Sequence, residues 1–560
     1  MKRLHYLLFI TILFFFSCKE QPLTFWSNVP ANKLAPLLVE KMTSEEQLAQ
    51  VFMLGLTTPK APEELKRWIT KNALGNIIIF AGKNDNLENL AQEINTLQQL
   101  AQSHPLQIPL FFATDQEGGS VRHIKSTATF SPGNLATGAT QNQKNAFYTG
   151  YYLAQELKAL GIHINLAPVV DLYTDYNSSI IATRSFGEEP TFVGNFAKEF
   201  YLGTQKAGLL ACAKHFPGHG HTTSDSHHLL PYINLTKNEL FKRELIPYSL
   251  LIQEKIPLIM VSHLAFPKIL DNETPASMSS YFIKNILQEE LGFQGLIISD
   301  DLMMQGALDY SGSLENALQK SILAGCHLVI SSKILSLDKE EWLACIDLMK
   351  KNDEFAVKVK KAATKVIEEK LRFFKEEKSM PLYTDISKIT KKIPNPEGSS
   401  FFEQLGKNSI TQIKDEKNLF PIKTEGNGLL LIGQHKDFFK IGKKAFPECE
   451  TFDFGIVYTK DDAKQQVQKL LPIAKKYKTA IITVNDAESA YIAEQLIQEN
   501  ISTIIVGLQA PIYALSVKKA GSVLLAYSSS PYSFVGAFAV LKGKIQPKGI
   551  LPLLHWKSYE

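Results

Sequence analysis

The chain has 560 residues, 45% hydrophobic and 21% charged. These values lie near the globular average and exclude intrinsic disorder, collagen and a polytopic membrane protein. Lys and Arg number 60 against 56 Asp and Glu, and a net charge of +4 on this length makes no case for nucleic acid, which needs clustered basic residues. Five cysteines are too few for a disulfide framework.

The chain opens MKRLHYLLFITILFFFSCKE. Lys2 and Arg3 form a basic start, and residues 7–16 form an apolar run shorter than the roughly 20 residues a membrane span needs. This is the pattern of a cleaved export signal. Ser17-Cys18 resembles the end of a bacterial lipobox, although Phe15 and Phe16 stand where Leu and a small residue are usual. The expectation is a lipoprotein-type signal over residues 1–18, with lipidation at Cys18 and an extracytoplasmic, membrane-anchored location. Membrane contact is then expected only through that anchor. Residues 21–30 read as a tether, and Cys212, Cys326, Cys345 and Cys449, with no CxxC spacing, read as buried free thiols.

A helix is expected over residues 34–50, with Thr43 three residues before Glu46 in a capping box. Short apolar runs then recur at 51–56, 76–81, 110–114, 163–170, 209–214, 258–262, 296–299 and 327–331. Continuous runs of this length suit strands buried on both faces, as in a parallel sheet. Eight of them alternating with helices such as 145–160 and 314–324 give an α/β fold, a (β/α)8 TIM-like barrel over residues 31–378. Five of the runs end in polar residues: Asp115, Asp171, Lys214-His215, Ser262-His263 and Asp300-Asp301. In such a barrel the C-terminal strand ends face the active site, which makes the pattern an argument for an enzyme.

A charged helix is expected over 354–378, and residues 379–400 have the Pro, Gly and Ser content of a linker. Beyond it, residues 401–560 carry apolar runs at 428–432, 479–484, 502–506 and 522–526, alternating with helical segments at 461–475 and 487–498. They read as a smaller, open-sheet α/β domain, with a parallel sheet.

Two segments carry the chemistry. Residues 213–231 place Lys214, five histidines and Asp225 in one loop after a strand. Histidine titrates near neutrality and serves as general acid or base, and Asp225, two residues before His227, can orient its ring. At residues 295–304, Asp300 and Asp301 end an apolar strand, so one carboxylate can face substrate while the other supports structure. An ionised Asp there suits nucleophilic attack on a sugar, and Asp301 suits capping of the next helix.

Lys214-His215-Phe216-Pro217-Gly218-His219-Gly220 with Asp225-Ser226-His227 resembles glycoside hydrolase family 3, in its bacterial β-N-acetylglucosaminidase (β-hexosaminidase) branch and two-domain form. So do Asp115-Gln116-Glu117-Gly118-Gly119, Arg184-Ser185-Phe186-Gly187, Ser299-Asp300-Asp301-Leu302 and the closing stretch 543–552. The resemblance implies that Asp300 is the nucleophile of a covalent glycosyl-enzyme intermediate. It implies that His227, paired with Asp225, protonates the leaving oxygen and then deprotonates water. A neutral base also suits an anionic acceptor, so phosphorolysis is a possible side activity. Asp115, Arg184, Lys214 and His215 match sugar-binding positions. The family often has arginine eight residues after the Asp115 position; His123 stands there with Arg122 beside it, and Arg122 is taken as a further binding residue. After Gly220, where aspartate is frequent, this chain has His221.

The expected activity is retaining exo-β-N-acetylglucosaminidase action on terminal β-GlcNAc of glycans such as peptidoglycan fragments, with no metal, cofactor or nucleic-acid partner. The alternatives are a β-glucosidase- or β-xylosidase-like member of the family, a metal-dependent barrel hydrolase using His215, His219 and His221, and a non-catalytic glycan-binding lipoprotein.

Overall fold

The computed structural model describes residues 22–559 apart from 81, 83–85, 179, 223–228 and 424–427. Eight strands close a barrel: β1 (Phe52–Leu56), β2 (Asn76–Ile79), β3 (Phe111–Thr114), β4 (Ile164–Asn165), β5 (Leu210–Phe216), β6 (Leu258–Val261), β7 (Leu296–Asp301) and β8 (Leu328–Ser331). Each pairs in parallel with its sequence neighbours, and β8 closes on β1. All eight lie at the expected runs. Their residues are buried throughout except the last two of β7, Asp300 and Asp301, where that strand leaves the core at the barrel mouth.

Two expectations change in detail. The helix expected over 34–50 is two, Ala31–Glu40 and Ser44–Val51. Thr43 is extended, its side chain accepting from the Glu46 N–H while Glu46 accepts from the Thr43 N–H, so the box starts a second helix. The run expected over 163–170 forms regular ladder only at Ile164–Asn165. Pro168 has no N–H to donate, and beyond it pairing resumes as an isolated bridge between Val169 and Lys214.

The segment of linker composition is held against the barrel. Asn95 and Thr384 exchange two hydrogen bonds of 2.9 Å, and Met380, Ile389 and Ile393 are buried. The helix Pro396–Ser409 follows, and its Phe402 and Leu405 belong to the barrel's own hydrophobic cluster.

The second domain is a six-stranded sheet: β9 (Thr411–Asp415), β10 (Leu429–Gly433), β11 (Glu450–Asp453), β12 (Thr479–Val484), β13 (Thr503–Gly507) and β14 (Ser522–Leu525), in the order β9-β14-β13-β12-β10-β11. Five strands are parallel and β9 is antiparallel at one edge. Alternate residues serve two cores: Leu429, Leu431 and Ile481 face one, Leu430, Ile432 and Ile482 the other. The second core also contains Leu135, Ala136, Ala139, Tyr173 and Tyr176 of the barrel domain, so it crosses the domain boundary.

Candidate active site

At the C-terminal ends of the barrel strands, Asp115, Glu117, Arg184, Lys214, His215 and Asp300 line one cavity of about 280 Å³. The pairing of β5 with β6 slips between Ala213 and Phe216, so the ladder's alternation is broken where Lys214 and His215 meet the cavity. Two consecutive residues of one strand therefore both serve the site.

The polar walls are an interlocked network. Lys214 Nζ bonds Asp115 Oδ1 and lies 2.7 Å from Glu117 Oε1. Arg184 grips Glu117 with two parallel bonds, Nε to Oε2 at 2.9 Å and Nη2 to Oε1 at 2.8 Å. Its Nη2 also lies 3.2 Å from His215 Nε2, while His215 Nδ1 lies 2.7 Å from Asp171 Oδ2. Arginine only donates, so Nε2 accepts and the proton sits on Nδ1, directed at Asp171. Asp171 also accepts from the backbone N–H groups of His215 and His219.

Burial works against the charge of Asp115, Glu117, Asp171, Arg184 and Lys214, and their partners decide the outcome. Asp115 is held well below the usual carboxylate range because Lys214 and His123 outweigh its burial. Arg184 and Lys214 raise the charged fraction of Glu117 in the same way, and are themselves held protonated by the carboxylates beside them. His219, buried and next to His215, is pushed down to about 4. The cavity thus offers fixed anionic acceptors and cationic donors in a water-poor setting, the arrangement that grips hydroxyl and amide groups in one orientation.

The adjacent aspartates of β7 divide their work. Asp301 Oδ1 accepts from the N–H groups of Met303 and Ser332, both at 3.0 Å, which ties the strand end to the next loop and to β8. His263, fully buried, contacts the Asp301 carbonyl at 3.1 Å and Ser277 Oγ at 2.7 Å. Asp300 is half-buried on the cavity wall, and one of its oxygens accepts the Asp301 N–H at 2.8 Å.

The structure brings Asp115, Arg184, Lys214, His215 and Asp300 together. Asp225, His227 and Cys18 lie outside the described residues. Arg122 is not on the cavity wall: its guanidinium sits 4.0 Å over the Phe130 ring, while Val121 and His123 on either side line the cavity. Period-two alternation sends the middle residue to the other face, and His123 contacts Asp115 at 3.5 Å in its place. Glu117 and Asp171 were not among the sequence-level site residues. In the sequence Asp171 is a strand-end carboxylate, and Glu117 lies within the Asp115–Gly119 motif. His215 Nδ1 is turned to Asp171 and His221 Nδ1 lies 3.5 Å from Thr174 Oγ1, and among the described residues no three His, Cys, Asp or Glu side chains group to hold a metal.

The model of the glycosyl hydrolase family 3 N-terminal domain matches residues 43–368. The chain belongs to glycoside hydrolase family 3. Among curated proteins it is 37% identical over 287 residues to a β-hexosaminidase of Nitrosomonas eutropha, a match covering 50% of this chain and 79% of that one. It is 36% identical over 277 residues to the β-hexosaminidase A of Pseudoalteromonas piscicida, where the match covers 46% of each chain and so under half that relative's length. Among solved structures, a family 3 β-N-acetylglucosaminidase from Paenibacillus sp. str. FPU-7 superposes with a TM-score of 0.81, covering 92% of this chain and 99% of that one. At 23% identity that likeness speaks for the fold. The chain is thus a family 3 member built as a barrel followed by an α/β domain, and its curated relatives are β-hexosaminidases.

Proposed function

We infer that the chain is a retaining exo-β-N-acetylglucosaminidase that removes terminal β-GlcNAc from glycans, with peptidoglycan fragments as natural substrates. The observation that carries this reading is the position of Asp300 on the wall of the cavity that the Asp115–Lys214–Glu117–Arg184 network also lines. At about 280 Å³ the cavity lies just below the roughly 300–1,000 Å³ of small-ligand pockets, room for one sugar ring, which suits exo action. The names of the β-hexosaminidase relatives support an N-acetylated sugar.

In this reading the Asp300 carboxylate forms a bond to the anomeric carbon as the bond to the leaving oxygen breaks, and His227, oriented by Asp225, gives that oxygen its proton. Water then attacks the same carbon, surrenders its proton to His227, and the Asp300 carboxylate departs. Asp115 accepts from ring hydroxyls, Arg184 and Lys214 donate to hydroxyl and acetamido oxygens, and His215 orients Arg184 through Nε2.

The test compares aryl β-GlcNAc, β-glucoside and β-xyloside substrates, with and without phosphate. Turnover of β-GlcNAc is expected to dominate, Asp300→Ala to abolish it in a folded protein, and rapid quenching to show an adduct of one GlcNAc residue. Wild-type-like turnover by Asp300→Ala would refute the assignment, and preference for the β-glucoside would move the chain to another branch. Ser17-Cys18 supports the reading that the enzyme is exported and anchored through Cys18 at the cell envelope. Cys18→Ser is expected to move the protein from the membrane fraction to the soluble one; an unchanged fraction would count against the anchor.

A further inference from the structure

The end of the chain returns to the barrel. Gly549 N–H donates to Ile410 O and Ile550 N–H to Ala139 O, both at 2.9 Å. Leu551 and Leu553 are buried in the core that holds Tyr173 and Tyr176. Glu188 N–H donates to Pro552 O at 3.1 Å. The Glu188 carboxylate then takes three groups: the Leu554 N–H at 2.5 Å, the Tyr176 hydroxyl, and His555 Nδ1 at 2.6 Å. A Cβ on Gly187 would meet Pro552 O at 2.8 Å, so the closeness of this crossing accounts for a glycine there.

What the crossing holds is the segment 171–188, which carries Asp171 at one end and Arg184 near the other. Among its described residues the only helical element is the three-residue turn Ala182–Arg184. A segment of this kind must find partners for its backbone outside itself. Gly187 O accepts the Tyr173 N–H at 2.9 Å, and Ser185 Oγ lies 2.6 Å from Asp171 O and 2.8 Å from Gly187 O. The clamp at Gly187 and Glu188 is thus joined through Ser185 to the backbone of Asp171, and Ser185 directly follows Arg184 of the cavity wall.

We propose that residues 549–556 are a strap through which the second domain positions Arg184 on the cavity wall and Asp171 behind His215, with Glu188 as the positioning residue. The second domain then takes part in substrate binding without touching the sugar. A misplacement of about 1 Å in a binding group can cost on the order of a hundredfold, so anchoring this segment has a kinetic consequence. The inference rests on the reading that Arg184 holds the sugar.

The full chain with Glu188→Ala, Glu188→Gln, Arg184→Ala and the double variant Arg184→Ala/Glu188→Ala decides it. Hydrogen exchange of residues 171–188 is measured beside kinetics on aryl β-GlcNAc. Glu188→Ala is expected to speed exchange there and to raise KM about tenfold with kcat nearly constant. Glu188→Gln, which keeps one acceptor oxygen, should recover most of the loss. In the Arg184→Ala background the Glu188→Ala change should add far less than it does alone, leaving only the part that runs through Asp171 and His215. An equal penalty in both backgrounds, or an unchanged KM, overturns the strap. If Glu188→Ala fails to fold, His555→Ala on the exposed side of the clamp must show the same direction at smaller size. A wild-type chain inactive on every aryl glycoside overturns the functional reading instead; unchanged exchange of residues 171–188 in Glu188→Ala still overturns the strap alone.

Discussion

Glu244 is a residue whose position makes a measurable demand. It is 1% exposed, with Oε1 taking a 3.1 Å bond from Arg243 and Oε2 without a hydrogen-bond partner among the described residues. Burial raises its ionisation from 4.5 to about 7, with nearby Asp171 adding to the effect and Arg243 opposing it. Between those values the folded chain holds a proton that the unfolded chain has lost, so stability falls as pH rises through that window. Glu244→Gln removes the titration. The variant should match the wild type in urea unfolding at pH 5 and exceed it above pH 7, by up to about 3 kcal/mol. Equal stability of the two at pH 8.5 would show that the carboxyl ionises freely in the fold. At this same scale the sequence reveals residue types and strand-end positions, and hence Asp115, Lys214, His215 and Asp300. Arg184 needed the family motif as well. The sequence does not reveal which of two adjacent residues turns inward: Arg122 and His123 exchange roles by alternation alone. Nor does it reveal that Glu117 and Asp171 are the groups that lock the cations and His215, because that pairing joins segments far apart in the chain.

Among elements, the loop that leaves β5 is shaped by two close approaches. Gly218 has φ +136°, and a Cβ there would lie 2.8 Å from the Glu244 side chain. At Gly220 a Cβ would come within 1.6 Å of Leu172 O, on the segment whose Asp175 N–H and Thr174 hydroxyl donate to Gly220 O. Gly220→Ala must push the loop off that segment and away from His219 and the residues beyond. The expected cost is about 1–3 kcal/mol of stability, with a loss of turnover far larger than that stability change explains. Gly292→Ala is the control: its φ is +75° but nothing lies within 4 Å, so it should cost about 1 kcal/mol of backbone strain and leave kcat unchanged. Thermal unfolding and steady-state rates read both, and wild-type kcat in Gly220→Ala would break the link between this contact and the site. The elements legible in the sequence follow the same physics. Strands buried on both faces appear as continuous apolar runs, which is why all eight barrel strands and β10, β12, β13 and β14 could be read. The edge strands β9, TQIKD, and β11, ETFD, are half exposed and carry no such run. The segment 379–400 has loop composition yet is ordered by side-chain bonds to distant helices, which composition does not encode.

For the whole molecule, the question is whether the barrel and the second domain are separate folding units. Interfaces between domains of one chain are on average polar enough to let them move and melt apart. Here the boundary is a core. Phe402 and Leu405, beyond the segment of linker composition, are buried in the barrel's cluster, and Tyr173, Tyr176 and Leu135 of the barrel are buried with Leu430, Ile432 and Ile482 of the second sheet. The helix Pro396–Ser409 lies between the helices Lys144–Leu160 and Pro531–Leu541, so close to the latter that a Cβ on Gly406 would stand 2.4 Å from Tyr532 O. Separating the domains would expose these apolar side chains at roughly 25 cal/mol per Å², with no compensating gain in chain entropy until one domain unfolds. Calorimetry of the full chain should therefore show one transition, with van't Hoff and calorimetric enthalpies in agreement. A piece ending at residue 378 should aggregate or fold without activity, because it lacks both the covering helix and the contacts that reach Glu188. Two resolved transitions, or a shortened barrel with full turnover, would show that the shared core is dispensable and that the site needs only its own barrel.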